Sequence, residues 1–381
     1  MRVEIFVFLY IYICVCMLLF NMSYVLYRNY SGKSLERKKQ AFELMIAGQL
    51  VRMKDHQMVD PSVQEKIYEK LLHLQYLIAF DQTITKMKEK DTEAISAYLT
   101  ASYPILARVT SAYRSRSDEK KAYLAHFLSK SKVKAPNMDM ISNVMLSFVG
   151  SSSAYVRENA LKTLYSIGDA SYVVRAFRII NGEVLHQNVK LLSDGLVVFQ
   201  GDHKVLMDKL WGEFRRFMPS IQTAIVNYMR MKSGAYTQEL YTLLKDDGIN
   251  QEVKLAILRY FGKHPYEPMR KLLLTMLTEE TAHTWEFAAV AASVIKAYPG
   301  KETMDTLHVA LNSGNWYVRF NAADSLIGLG MTQEAFFKEH RIEDPYANAM
   351  IQYRWQVYEV EQEQEQEKLR EIEKKKTEVV G

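Results

Sequence analysis

Cysteine, proline and glycine are scarce in this chain of 381 residues, which has two cysteines, eight prolines and sixteen glycines. Cys14 and Cys16 lie two positions apart in an apolar run, and on a helix they would point to different sides. The chain therefore has neither a disulfide framework nor a C-x-x-C pair. So few proline and glycine residues argue against a fold of many short strands and turns, and they favour helices.

Strong charge of one sign is also absent. The chain has 49 basic and 44 acidic residues, a net charge of +5, and 48% of its residues are hydrophobic. This composition can bury a core and excludes wholesale disorder. Because the excess of basic residues is small, a nucleic-acid partner is not expected.

Motifs that carry chemistry are missing as well. The nine histidines are scattered, without an H-x-x-x-H or H-E pair on which a helix could hold a metal. There is no P-loop, no G-x-G-x-x-G and no G-x-S-x-G. We therefore expect no cofactor, no metal and no catalytic residue.

A long apolar run stands near the start of the chain. Residues 5–20, IFVFLYIYICVCMLLF, contain no charged or amide side chain, and the apolar character continues to Tyr27. As one helix, residues 5–27 would be about 34 Å long, enough to cross a bilayer core. A cleaved signal peptide is the rival interpretation, but its apolar region would be shorter and would end in small residues. The run predicts an uncleaved transmembrane helix over 5–27, preceded by a short flank, residues 1–4.

Basic residues follow this segment. The positive-inside rule then places the bulk of the chain in the cytoplasm, as a single-pass protein of the inner or plasma membrane. A second basic cluster lies in residues 108–134. We expect residues of both groups to contact anionic lipid head groups. They are Arg28, Lys33, Arg37, Lys38, Lys39, Arg114, Arg116, Lys120 and Lys121.

The chain contains a repeat. Residues 153–168 read SAYVRENALKTLYSIG, and residues 315–330 read NWYVRFNAADSLIGLG. Similar helical patterns between them begin at Val189, Ile221, Val253 and Trp285, so that successive starts from Val156 to Val318 are 32 or 33 residues apart. A second series consists of glycines in predicted turns: Gly168, Gly201, Gly234, Gly262, Gly300 and Gly330.

Each unit is predicted to be a helix, a glycine-containing turn and a second helix. In the first clear unit the second helix covers residues 171–180, with Val173, Val174, Phe177 and Ile180 facing inward. Two helices cannot close a core alone, so the units must stack.

The repeat resembles the HEAT family in its bacterial form, whose first helix carries V-R-x-x-A-x-x-x-L. Two units match it fully, through Val156, Arg157, Ala160 and Leu164 and through Val318, Arg319, Ala322 and Leu326. The middle units depart from it, with Lys190, Gln222, Lys254 and Glu286 at the arginine position. The resemblance implies an all-α fold, an armadillo-like α-solenoid of HEAT-like helix pairs over residues 117–342 behind the transmembrane helix, with a structural role for the arginine.

In the family, second helices line the concave face, which implies a surface for an acidic protein partner, itself expected at the membrane. It would include Arg175, Arg178, Lys209, Arg216, Arg270 and Lys271. The function implied is a scaffold or adaptor, such as an accessory component of a bacterial membrane assembly for surface-polysaccharide synthesis. The alternative is a HEAT-like enzyme of the alkylpurine DNA glycosylase or bilin lyase type, with Trp211 beside Arg215 and Arg216 on a basic concave face.

The flanks of the array are less regular. Residues 28–116 are predicted to hold a juxtamembrane basic segment and irregular helical repeats, including a helix that Asp60 and Pro61 open and that runs through residue 80. Residues 343–381 predict a helix and a charged tail, with Met350, Tyr353, Val357 and Val360 on one face. A frayed, exposed tail is favoured there over a coiled coil, since no apolar series lasts three heptads.

Overall fold

The computed structural model of the chain describes the backbone of residues 2–183, 185, 187–279, 284–339 and 344–380. Side chains are described over the same residues except 2–7, 25–31, 337–339 and 373–380. The regular structure of these residues is entirely helical, so the all-α prediction is confirmed for them.

The helices in chain order are α1 (Arg2–Lys54), α2 (Pro61–Leu71), α3 (Leu74–Lys90), α4 (Thr92–Ala101), α5 (Tyr103–Ala112), α6 (Asp118–Ser131), α7 (Asp139–Val149), α8 (Ala154–Ile167), α9 (Ala170–Gly182), α10 (Val189–Val197), α11 (His203–Gly212), α12 (Pro219–Lys232), α13 (Thr237–Leu244), α14 (Gln251–Lys263), α15 (Pro268–Thr278), α16 (Trp285–Val294), α17 (Lys301–Ala310), α18 (Trp316–Gly328), α19 (Gln333–Glu339) and α20 (Pro345–Val380). Short 3₁₀ turns cover Tyr113–Ser115, Phe214–Arg216 and Ile295–Ala297.

The helices form two compact units. Unit 1 contains residues 1–187 and 198–213, and unit 2 contains residues 188–197 and 214–381. In unit 1, α1, α3, α6 and α8 pack in sequence as one row, the A row, and α2, α5, α7, α9 and α11 pack as a second, the B row. In unit 2, α10, α12, α14, α16, α18 and α20 form the A row, while α15 and α17 pack on each other beside it. Within each unit, stacked helix pairs share a continuous core, as the repeat predicts.

Helix α1 is continuous from the apolar run into unit 1. Phe42 and Ile46 are fully buried and mark where it joins the core, and α1 packs on α3 and α4. By contrast, nearly all side chains of residues 8–24 are exposed, including Phe8 at 72% and Phe20 at 71%. The predicted span 5–27 falls partly on side chains outside the described residues, those of 5–7 and 25–27. Within the residues that the structure describes, no helix combines the length and the apolar composition that a membrane crossing needs.

The repeat positions lie where stacking requires apolar side chains. Val156, Ala160 and Leu164 of α8 are fully buried, as are Val318, Ala322 and Leu326 of α18. In α9, the four predicted inward residues Val173, Val174, Phe177 and Ile180 are also buried. One position differs: Trp285 is the first residue of α16, is partly exposed and stacks on Tyr317, and the buried stripe of α16 starts at Ala288.

The arginine of each matching unit binds the loop that precedes its helix. The Nη1 of Arg157 donates to the carbonyl oxygens of Ser151 and Ser152 at 2.8 and 2.9 Å. At the equivalent position, the Nη1 of Arg319 donates to the carbonyl oxygen of Ser313 at 2.6 Å, again six residues upstream. The guanidinium therefore satisfies backbone acceptors where the chain turns into the next A helix.

In the middle units, other side chains occupy the arginine position and make other contacts. The Nε2 of Gln222 donates to the carbonyl oxygen of Phe214 at 2.9 Å, so a neutral amide also binds the preceding loop. Lys254 lies 3.9 Å from the carboxylate of Asp247, which is in the preceding loop too. Glu286, which cannot donate, instead accepts a hydrogen bond from Gln251. A donor rather than a positive charge is what Arg157, Arg319 and Gln222 share.

A second repeated contact joins successive A helices. The hydroxyl of Thr163 donates to the carbonyl oxygen of Ala125 at 2.8 Å, and the hydroxyl of Ser325 donates to that of Ala292 at 2.5 Å. Thr163 and Ser325 occupy the same place in the repeat, seven residues after Val156 and Val318. A small hydroxyl residue at this place lets neighbouring helices approach closely and bond.

Two of the predicted turn glycines meet in space. Gly168 ends α8 with a φ of +83°, which favours glycine. A β-carbon at Gly201, one repeat later, would collide with the carbonyl oxygen of Gly168. Gly262 is an exception, because it lies inside α14 rather than in a turn. The prediction of a turn glycine is thus confirmed at Gly168 and wrong at Gly262.

The flanking segments also differ from prediction. Asp60 caps α2 by accepting from the amide of Ser62 at 2.8 Å, but the helix stops at Leu71 and a new one begins at Leu74. In α20 the buried face is formed by Ala347, Ile351 and Trp355, with Met350 beside them. Tyr353 and Val360 of the predicted apolar face are half exposed, at 50% and 52%. The helix then continues to Val380 instead of fraying.

Buried tyrosines tie neighbouring helix pairs together in each unit. In unit 1, the hydroxyl of Tyr113 donates to the carbonyl oxygen of Leu71 at 2.8 Å. In unit 2, the hydroxyl of Tyr260 donates to the carbonyl oxygen of Ser233 at 3.1 Å and accepts from the amide of Tyr236 at 3.3 Å. Burial raises the pKa of both phenols to about 12.

Replacing Arg157 by Met should lower the free energy of unfolding by about 3 kcal/mol, because two carbonyl groups lose a charge-assisted donor. Arg157→Lys, which keeps a donor, should cost about 1 kcal/mol. Denaturant unfolding of the full chain measures both. Equal losses for Met and Lys would contradict the donor role.

The tyrosine contacts predict a loss of stability in alkali. Because the folded-state pKa of Tyr260 is raised above 10, its contribution is complete below pH 10 and is lost as the pH rises through about 12. Tyr260→Phe should therefore lower the unfolding free energy by about 1 kcal/mol at pH 8. The difference from the unmodified chain should shrink between pH 10 and 12. A difference that stays constant over that range would contradict the assignment.

Candidate functional site

A basic groove lies on the B row of unit 1. It encloses about 800 Å³ and is lined by Arg114, Asn143, Leu146, Ser147, Gly150, Arg175, Arg178, Ile179 and Glu183. We call it the arginine groove. It brings together Arg175 and Arg178, predicted to bind a partner, with Arg114, predicted to contact lipid.

Helix stacking explains why these side chains meet. Arg175 and Arg178 lie one turn apart on α9, on the face opposite the buried Val173 and Phe177. Asn143 lies on α7, 32 residues before Arg175, and the Nη2 of Arg175 is 3.5 Å from its Oδ1. One step of the repeat therefore places residues side by side on neighbouring B helices.

The arginines of the groove differ in their partners. Arg178 forms an ion pair with Glu213, whose hydrogen bond and charge raise the pKa of Arg178. The guanidinium of Arg175 lies 5.1 Å from the ring centre of Tyr172. Arg114 and Arg175 are exposed, and among the described side chains no carboxylate lies within ion-pair distance of either. These two guanidinium groups are available to an acidic ligand.

An acidic cavity occupies the other end of the same helices. It encloses about 550 Å³, and its lining includes Asp139, Asp169, Tyr172, Asp202 and Lys209. Asp169 and Asp202 accept from backbone amides at the starts of α9 and α11, each at 2.7 Å. The Tyr172 hydroxyl donates to Asp139 at 2.8 Å, and its pKa is raised, first by burial and then by this carboxylate. Lys209 therefore lies in this cavity rather than in the arginine groove.

The B row of unit 1 is thus segregated by charge. Acidic side chains lie at the N-terminal ends of its helices, where the helix dipole favours negative charge. Arg175 and Arg178 lie further along α9, before its last turn. Together the two cavities present a surface with an acidic and a basic end.

The other residues of the predicted partner surface belong to unit 2. Arg216 ends the 3₁₀ turn Phe214–Arg216. Arg270 pairs with Glu267 at 2.9 Å in the first turn of α15, and Lys271 is exposed beside it. The six predicted residues are therefore divided between the units, and their binding of a partner stays a prediction.

The residues predicted to contact lipid are spread over α1, the 3₁₀ turn Tyr113–Ser115 and the residue after it, and the start of α6. The side chain of Arg28 lies outside the described residues. Lys39 pairs with Glu36 at 2.6 Å, Lys121 pairs with Asp118 at 3.6 Å, and the Nζ of Lys38 donates to Gln75 at 2.7 Å. Their lipid contacts stay a prediction, as do those of the exposed Lys33, Arg37 and Arg116 and of the half-buried Lys120.

The residues of the enzymatic alternative are also divided. Trp211 lies in the last turn of α11 in unit 1, whereas Arg215 and Arg216 belong to unit 2. Arg215 is paired with Asp246 at 2.8 Å.

Sequence reasoning missed Arg114, Asn143 and Glu183 as members of the groove. Asn143 could have been found by stepping 32 residues back from Arg175. Arg114 lies two such steps before Arg178, but the sequence has no clear repeat there to step into, and the residue belongs to a 3₁₀ turn.

Comparison with known proteins gives no family. No family model matches the chain, and no curated protein matches it. Among solved structures, a designed armadillo repeat protein is similar over 65% of this chain and 99% of its own, with 12% identity and a TM-score of 0.21. At that score the likeness carries no argument, so the helical-repeat description depends on the packing within each unit.

Proposed function

We propose that this chain is a membrane-anchored scaffold of the HEAT-repeat type that binds an acidic protein segment in the arginine groove of unit 1. The observation that carries this proposal is the pair of exposed arginines, Arg114 and Arg175, that line a groove and have no carboxylate partner among the described side chains. We further propose that it has no catalytic activity and serves a bacterial membrane assembly, such as one for surface-polysaccharide synthesis.

The chemistry of the groove suits a carboxylate-rich ligand. Arginine presents a planar fork that binds a carboxylate through two hydrogen bonds, and it is weakly hydrated, so it loses little on entering an interface. Asn143 and Ser147 add neutral polar groups, and Leu146 and Ile179 add apolar surface between them. An acidic segment with some apolar side chains would satisfy all three kinds of contact.

Attachment to a membrane through residues 5–27 is the second part of the proposal. It is supported by the exposure of the apolar side chains of residues 8–24, which no other element of unit 1 covers in the described structure. Residues 28–41 continue the same helix for about 21 Å up to Phe42, the first fully buried residue of α1 among its described side chains. Such a helix would hold unit 1 close to the cytoplasmic face of a membrane. It would thereby raise the concentration of unit 1 near membrane-bound partners.

A fluorescent twelve-residue peptide rich in Glu and Ala tests the groove. The full chain should bind it, and Arg114→Glu combined with Arg175→Glu should weaken binding at least tenfold, because attraction becomes repulsion. Fluorescence anisotropy at 50 mM salt measures the dissociation constant. The control is Lys232→Glu combined with Lys245→Glu, which changes the net charge equally on exposed residues of unit 2. If both double variants weakened peptide binding equally, net charge alone would explain the effect, and the proposal would be contradicted.

Flotation with phosphatidylcholine vesicles tests the anchor. The full chain should float with the vesicles after a 1 M salt wash, whereas Ile13→Asp combined with Met17→Asp should abolish flotation, since each charge at a span centre costs about 3 kcal/mol. The control is Leu44→Asp, the same change on an exposed residue of the same helix outside the proposed span. Release of the unmodified chain by salt would contradict the anchor.

A further inference from the structure

The end of α20 is a charged helix without a packing partner in the described structure. Beyond Trp355, side chains become exposed, and those of residues 358–372 all are. This stretch, the tail helix, carries Glu359, Glu361, Glu363, Glu365 and Glu367. None of these carboxylates forms an ion pair with another described residue. A helix so charged, extending from its unit, is available for a contact outside that unit.

The charge order along the tail helix is the same as that along α9 in the B row of unit 1, with acidic residues first and basic residues after them. Its acidic half is followed by Lys368 and Arg370, then by Glu371 and Glu373, and the sequence continues with three lysines, residues 374–376. On α9, the acidic end at Asp169 comes first and Arg175 follows. A helix laid antiparallel to α9 would therefore place its acidic half at the arginine groove and its basic half at the acidic cavity.

The spacing of the charges agrees as well. From Asp169 to Arg175 the rise along α9 is about 9 Å, and from Glu363 to Arg370 the rise along the tail helix is about 10 Å. Both complementary contacts could thus form together. The half-exposed Leu369 and Ile372 of the tail helix supply apolar surface in the same segment.

We propose that the tail helix of one copy of this chain docks on the B row of unit 1 in a second copy, antiparallel to α9. This inference rests on the proposed function, since it names the acidic segment that the arginine groove binds. In a two-fold pair each copy gives its tail helix and receives the other, so both contacts form twice.

Charge exchange tests the contact in the full chain in detergent micelles, with copies labelled separately with donor and acceptor dyes. The groove variant is Arg114→Glu combined with Arg175→Glu, and the tail variant is Glu363→Lys combined with Glu367→Lys. Energy transfer between unmodified copies should report association that weakens as salt rises from 50 to 500 mM. Each variant alone should self-associate at least tenfold more weakly, because the groove variant repels the acidic tail and the tail variant loses most of the negative charge that the groove would bind.

Mixing the two variants should restore association, since the acidic groove of one meets the two introduced lysines in the tail of the other, and the remaining groove and tail keep their native signs. The control pair Lys232→Glu and Lys245→Glu should associate as the unmodified chain does. Association that persists in both variants separately, or an unmodified chain that stays monomeric at all concentrations, would overturn the inference. If the chain is monomeric but still binds the Glu-rich peptide, the groove function stands and its occupant is another protein.

Discussion

The fold depends on hydrogen bonds to the backbone carbonyl groups of the loops that connect one helix pair to the next. Each such loop presents carbonyl groups near a stack of apolar side chains, where an unpaired acceptor is costly. Arg157 and Arg319 donate to carbonyls six residues upstream, and Gln222 donates eight residues upstream. In α8, α12 and α18 the buried stripe and the preceding loop are thus fixed by adjacent residues of one motif, an apolar residue followed by a donor.

The regular stacking of helix pairs also creates the surface at which binding is proposed. Because the pairs stack at a constant step, residues about 32 positions apart become neighbours on adjacent B helices, as Asn143 and Arg175 do. The pair Arg178 and Glu213 spans 35 positions and joins α9 to the residue that follows α11. Groove and stack are therefore built from one periodicity, and residues on the exposed side of a B helix can be changed without touching its buried side.

Periodicity predicts what is repeated and fails where the chain departs from it. The buried residues of α8, α9 and α18 follow from apolar spacing alone, since a stripe must face its neighbour. Trp285 was misplaced because a large apolar residue satisfies the pattern equally well by stacking on the exposed Tyr317. Gly262 was misplaced because a helix tolerates glycine, and here a β-carbon would touch Val294 of the next A helix. The place of Arg114 in the groove was missed because its 3₁₀ turn lies in the irregular region before the clear repeats.

The basic residues of unit 1 have different roles, which the net charge of the chain does not show. Arg157 is buried and bonded to backbone carbonyls, so its charge serves the loop and contributes little to the field outside. Arg178 is exposed but paired with Glu213, and exposed pairs of this kind contribute little to stability. Arg175 is exposed and meets only an amide and an aromatic ring among its described contacts. A nearly balanced chain can therefore present a locally basic groove, because what matters for binding is which guanidinium groups the fold leaves without a carboxylate.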